Sequence, residues 1–141
     1  MGATINSDPG PQFCKEGELS VVRKGFSQPL VVIDIEFAVT DEEHEQGLMY
    51  RKKMDPLQGM FFIFEREKEQ SFWMHNTFIP LDILYIKADS TILGMAENTE
   101  PFSARPIPSN GNAKYVLEVN AGFCSDYQIG PGDRINWKKT E

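Results

Sequence analysis

Cysteine and histidine are scarce in this chain, with two of each in 141 residues, and basic residues are outnumbered by acidic ones, 14 to 21. Each shortage excludes a class of function. Cys14 and Cys124 stand too far apart for a zinc or redox spacing. Joined, they would close nearly the whole domain with a bridge worth about 4–5 kcal/mol; two separate thiols are the other reading. The formal charge of -7, with no basic run longer than Arg51-Lys52-Lys53, argues against nucleic acid as partner. No apolar run approaches the roughly 18 residues a spanning helix needs, so no membrane span is expected. The chain also lacks Gly-x-Ser-x-Gly, His-Glu-x-x-His and a phosphate-cradling glycine loop.

What is present is enough apolar material for one core: 40% hydrophobic residues and 11% aromatics. Residues 1–16, with Asn6-Ser7-Asp8-Pro9-Gly10-Pro11 at their centre, read as a flexible leader, and 17–141 as a single compact domain. From Val31 to Val39, odd positions are apolar while Asp34 and Glu36 fall between them. That period-2 alternation predicts a half-buried strand whose two carboxylates face solvent. Thr40-Asp41-Glu42-Glu43 is a capping box opening a short helix. The run Met60 to Phe64 fits a strand covered on both faces, with a hairpin-like turn over 65–70 and a returning strand over 71–74. Residues 82–87 and 91–96 pair across Asp89-Ser90, 101–112 reads as a long loop, and 114–119 as a strand. A second short helix (121–128), a turn at 130–133 and a closing strand follow. The fold class is therefore mainly β, a β-sandwich or barrel-like domain with two short helices.

Several stretches, in order, resemble one known family: Gly47-Leu48-Met49-Tyr50-Arg51; Gly59-Met60-Phe61-Phe62-Ile63-Phe64; Ser71-Phe72-Trp73-Met74-His75-Asn76-Thr77-Phe78-Ile79-Pro80-Leu81-Asp82-Ile83; Lys114 to Gly122; and Gly130-Pro131-Gly132-Asp133. Together they look like the domain-of-unknown-function family numbered 192, across about residues 17 to 138. The resemblance implies a small mainly-β domain, often exported and so periplasmic or envelope-associated, and it brings no activity with it. The opening residues show no signal pattern, which leaves the cytoplasm open. Where family members usually carry Lys, this chain has His75, so a permanent positive charge is missing there.

The candidate ligand-binding residues are Arg51, Trp73, His75, Asn76, Thr77, Asp82 and Glu118. Arg51 has a planar fork suited to an anion, against an internal ion pair with Asp82 or Glu118. Asn76 and Asp82 suit a ligand, or backbone N–H groups around the Pro80 turn. Glu118 interrupts an apolar strand, so it either meets solvent or pairs with a cation. Five methionines (49, 54, 60, 74, 95) with His75 suggest soft-metal ligation, but near so many aromatics they read as core filler. His44 reads as solvated. No metal or cofactor is expected. The expected function is a non-catalytic binding module with a polar cleft for a small anionic or polar ligand. The alternatives are an envelope-accessory domain meeting a protein partner through Phe78, Ile79 and Phe102, and an enzyme of unknown reaction.

Overall fold

A computed structural model describes residues 10–140. Seven strands form one sheet: β1 (Gly17–Val22), β2 (Pro29–Ala38), β3 (Gln58–Phe72), β4 (Leu81–Ile86), β5 (Ile92–Ala96), β6 (Ile107–Asn120) and β7 (Arg134–Lys139). Their order is β5-β4-β6-β3-β2-β1-β7. Only β2 and β3 run parallel, joined by a crossover that contains α1 (Asp41–Gln46); α2 (Phe123–Tyr127) follows β6. The sheet curls until its two edges meet at one end, where Thr91 bridges Arg134 and Ile92 exchanges backbone hydrogen bonds with Gly132 and Asp133. The result is a half-barrel, within the mainly-β class that the alternation implied.

Both faces of the central strands are buried because their side chains alternate between two cores. Phe61, Leu117 and Val119 join Leu19, Ile33 and Ile35 on the face covered by α2. Met60, Phe62 and Val116 join Leu48, Met54, Met74 and Ile83 on the other face, beneath the α1 crossover and the segment after β3. Continuous apolar runs are what a doubly covered strand requires. The capping box forms as expected: the Glu43 N–H donates to Thr40 Oγ1, and the Thr40 and Val39 N–H groups donate to Glu43 Oε1.

Three expectations need correction. Residues 65–70 are not a turn. They continue β3: 65–69 are exposed at a register shift after Ile63, the ladder to β6 resumes at Lys68–Ala113 and Glu69–Asn112, and Gln70 is buried. Outside the core a strand has no reason to alternate, so its charges resemble a turn. The loop 101–112 accordingly ends at Pro106, and Pro108 lies beside a register shift, where a ladder tolerates proline. Glu36 does not face solvent: it is buried, whereas Asp34 pairs with Lys15 near the surface. Of the segment read as leader, residues 1–9 lie outside the described residues. Within 10–16, the Cys14 N–H donates to Glu36 Oε1 and the Glu16 N–H donates to the Ile35 carbonyl.

Candidate functional site

One row of side chains organises the site. Glu36 on β2 is registered opposite Met60 on β3, Met60 opposite Glu118 on β6, and Glu118 opposite Ile83 on β4. Paired residues share a face, so Glu36 and Glu118 both point into the core beneath the α1 crossover, with Met60 between them.

The two carboxylates have opposite fates. Glu36 receives Arg51 as a two-pronged ion pair, Nη1 to Oε1 at 3.0 Å and Nη2 to Oε2 at 2.6 Å, with both side chains 8% exposed. Arg51 thus pairs internally, but with Glu36 rather than with Asp82 or Glu118. Its fork is occupied, which removes it from the cleft as an anion grip.

Glu118 is only 4% exposed, and among the described residues no basic side chain lies within ion-pair distance of it. Burial alone pushes its carboxyl up to about 8, so at neutral pH it is mostly protonated and offers a donor. It lines a cleft of about 220 Å³, one wall of which is α1 and its exit, from His44 to Met49. Phe62 and Phe64 come from the sheet, and Gln70, Ser71, Phe72, Trp73, His75 and Thr77 complete the lining. Glu45 is the other acid in the lining, which holds no Lys or Arg.

Gly47 makes the cleft possible. Its φ of 46° is left-handed, and a Cβ there would sit 3.3 Å from the Phe62 ring and 3.5 Å from Glu118 Oε1. Gly47→Ala is therefore expected to cost more than about 1 kcal/mol and to narrow the cleft over Glu118. Urea unfolding checks the first part; an unchanged midpoint would contradict it.

His44 is not simply solvated. Its Nε2 lies 3.0 Å from the Ala38 carbonyl and 2.9 Å from the Ile63 carbonyl, and its ring lies 4.3 Å from that of Phe64. Carbonyl oxygens only accept, so Nε2 is the donor in both contacts. His75 is exposed and lies against the Trp73 indole at 4.7 Å. Thr77 Oγ1 donates to the His75 carbonyl, which fixes the bend after Met74.

Of the seven candidates, Trp73, His75, Thr77 and Glu118 share this cleft. Arg51 lies in the adjoining cavity with Glu36, Gln46 and Met60. Asn76 donates from Nδ2 to the Tyr50 hydroxyl, while the Tyr50 N–H donates to the Asn76 carbonyl. Asp82 is registered opposite Val119, on the other face of the sheet from Glu118. Its carboxylate accepts from the Asn98 and Cys124 N–H groups. It anchors α2 and the 97–99 segment rather than the Pro80 turn. Gly47, His44, Gln70 and the phenylalanines escaped notice as cleft residues; only Glu118, a charge inside an apolar strand, carried a local signal.

Cys14 is exposed and Cys124 buried, and the two are separate thiols. Asp82, Glu97 and Cys124 could surround a metal ion, but Asp82 already has two backbone donors, and burial pushes the Cys124 thiol up, against the thiolate a metal needs. No helix among the described residues is long and apolar enough to cross a membrane.

A crystal structure of a protein from Sinorhizobium meliloti 1021, provisionally described as a transcription regulator, is 36% identical with a TM-score of 0.82. It covers 90% of this chain and 98% of its own. A protein of unknown function from Novosphingobium aromaticivorans is 35% identical with a TM-score of 0.79, covering 85% of this chain and 84% of its own. No curated protein matches significantly. The pattern of domain-of-unknown-function family 192, described as "Uncharacterized ACR", matches residues 22–137. This chain belongs to that family.

Proposed function

We propose that this domain binds a small polar ligand in the cleft over Glu118. The observation that carries this reading is a nearly fully buried carboxyl that opens into a cavity and has no ion-pair partner among the described residues. A polar group held this way costs stability unless something bonds it. Aromatic walls beside a few convergent polar groups are the usual make-up of a small-molecule site. With Arg51 committed to Glu36, the cleft favours a polar ligand over an anionic one.

The test is a thermal-shift screen of polar metabolites against wild type, Glu118→Gln and Ser71→Trp, the last placing bulk in the lining. Binding to the native state raises the melting temperature by mass action, about 2.7 kcal/mol of stabilisation at a hundredfold excess over Kd. A hit lost in both variants is the expected result. Hits that persist in both would place binding elsewhere.

The same carboxyl favours a second reading, an enzyme. A cleft acid titrating near neutral pH is what general acid–base work requires. Conversion of the bound compound by wild type but not by Glu118→Gln would establish it. A protein partner has its own support: Phe102 and Phe78 are exposed and meet edge-to-face at 4.8 Å, with Lys52 over the Phe78 ring. Ile79 is buried and contributes nothing to that patch.

A further inference from the structure

The cleft's chemistry also bears on the charge of what it takes, an inference that rests on the reading of Glu118 as the ligand-binding group. Two carboxyls, Glu118 at depth and Glu45 at the exposed helix end, line the cavity, and no Lys or Arg does. The arginine of the adjoining cavity is spent: both Arg51 prongs are on Glu36, across Met60 in the same row. Among the described residues, Glu118 therefore lacks the counter-cation that Glu36 has. Phe62, Phe64, Phe72 and Trp73 line the same cleft, and an aromatic face attracts positive charge through its quadrupole. Gly47 leaves open the space against Glu118 Oε1 that a side chain would fill.

We infer that the cleft takes a small organic cation, an amine, amidine or guanidine, whose charged head pairs with Glu118 and whose body lies against the aromatic walls.

The carboxylate form of Glu118 repels an anion, and a neutral ligand leaves that form without a partner. A bound cation stabilises that form, so binding releases a proton wherever the free carboxyl is still protonated. The other titratable groups around Glu118 are His44 and Glu45 on α1, His75 on the segment after β3, and Tyr85 on β4. Tyr85 donates its hydroxyl to the Ile107 carbonyl, and burial together with Glu118 pushes it up, so it stays neutral throughout the range tested.

The probes are benzamidinium, a planar cation whose fork matches a carboxylate, and benzamide, its neutral counterpart of the same shape. Calorimetric titration at about pH 9 is expected to show benzamidinium binding at least about tenfold tighter than benzamide, with a similar loss on lowering the pH to about 6. Glu118→Gln and Ser71→Trp should each abolish that preference; the second leaves the carboxyl in place, so the test does not hinge on one variant folding. Equal affinity for the two probes, with both perturbing the cleft residues by NMR, overturns the cation and leaves the polar-ligand site standing. Absence of benzamidinium binding at about pH 9 overturns the cation too. If the polar-metabolite screen is also silent, the site itself falls with it.

Discussion

Arg51→Ala is expected to cost about 3–5 kcal/mol of stability, a large fraction of what a domain of this size possesses. The Arg51 side chain is 8% exposed and delivers both prongs to Glu36, which is equally buried. Removing the guanidinium leaves a buried carboxylate whose remaining donor is the Cys14 N–H. The penalty is thus the stranded charge, not only the lost bonds. The pair also joins β2 to the chain leaving the α1 crossover, so its loss loosens one side of the adjoining cavity. Replacing both partners by apolar residues, Arg51→Met with Glu36→Leu, should recover most of the loss, because well-packed side chains need no desolvation. Arg51 Nε, buried without a bond among the described residues, gives the double variant less to forfeit. Urea unfolding of the two single variants and the double measures the coupling. An Arg51→Ala protein within about 1 kcal/mol of wild type would mean that the pair is solvated and contributes as little as a surface bridge.

The second large effect is a stability that falls as the pH rises. Glu118 has an ordinary value of 4.5 when exposed and is pushed up to about 8 in the fold. Between those values the folded protein holds a proton that the unfolded chain has released. Stability then declines by about 1.4 kcal/mol per pH unit from this group until the folded carboxyl itself ionises. The contribution is complete below the unfolded value and lost as pH rises through about 8. Glu118→Gln removes the titration while keeping the shape. The variant should match wild type at low pH and exceed it by a few kcal/mol at about pH 8.5. Other titrating groups are common to both proteins, so the difference between their profiles isolates Glu118. A difference that stays flat with pH would show that the carboxyl is solvated or paired. A group that is best replaced for stability is one that a functional cleft retains for another reason.

How much of this was legible in the sequence depended on the range of the interaction. Thr40 and Glu43 are three residues apart, and the Val31–Ile35 alternation is local, so the capped helix and β2 could be read directly. The second half of β3 was hidden because residues 65–69 are exposed, and what makes them a strand is pairing with residues far along the chain. Arg51 read as a grip for an anion, with an internal pair to Asp82 or Glu118 as the alternative. The identity of its partner depends on the parallel β2–β3 crossover, which brings Glu36 beneath the chain that follows α1. Glu118 was visible as a misfit within an apolar strand. Its surroundings were not, because α1, Gly47 and the Phe72–Thr77 segment come together only in the folded chain. Asp82 looked like a partner for the same cleft, but strand period places it on the opposite face of the sheet.

Glu118 is, above all, a desolvated carboxyl facing a cleft, with no ion-pair partner among the described residues. Carbon-13 NMR of its side-chain carboxyl, titrated in the free protein, reads that directly. The account predicts a midpoint near 8. A midpoint in the ordinary carboxylate range would mean that water or a cation already serves Glu118, and the case for a ligand there would lose its foundation.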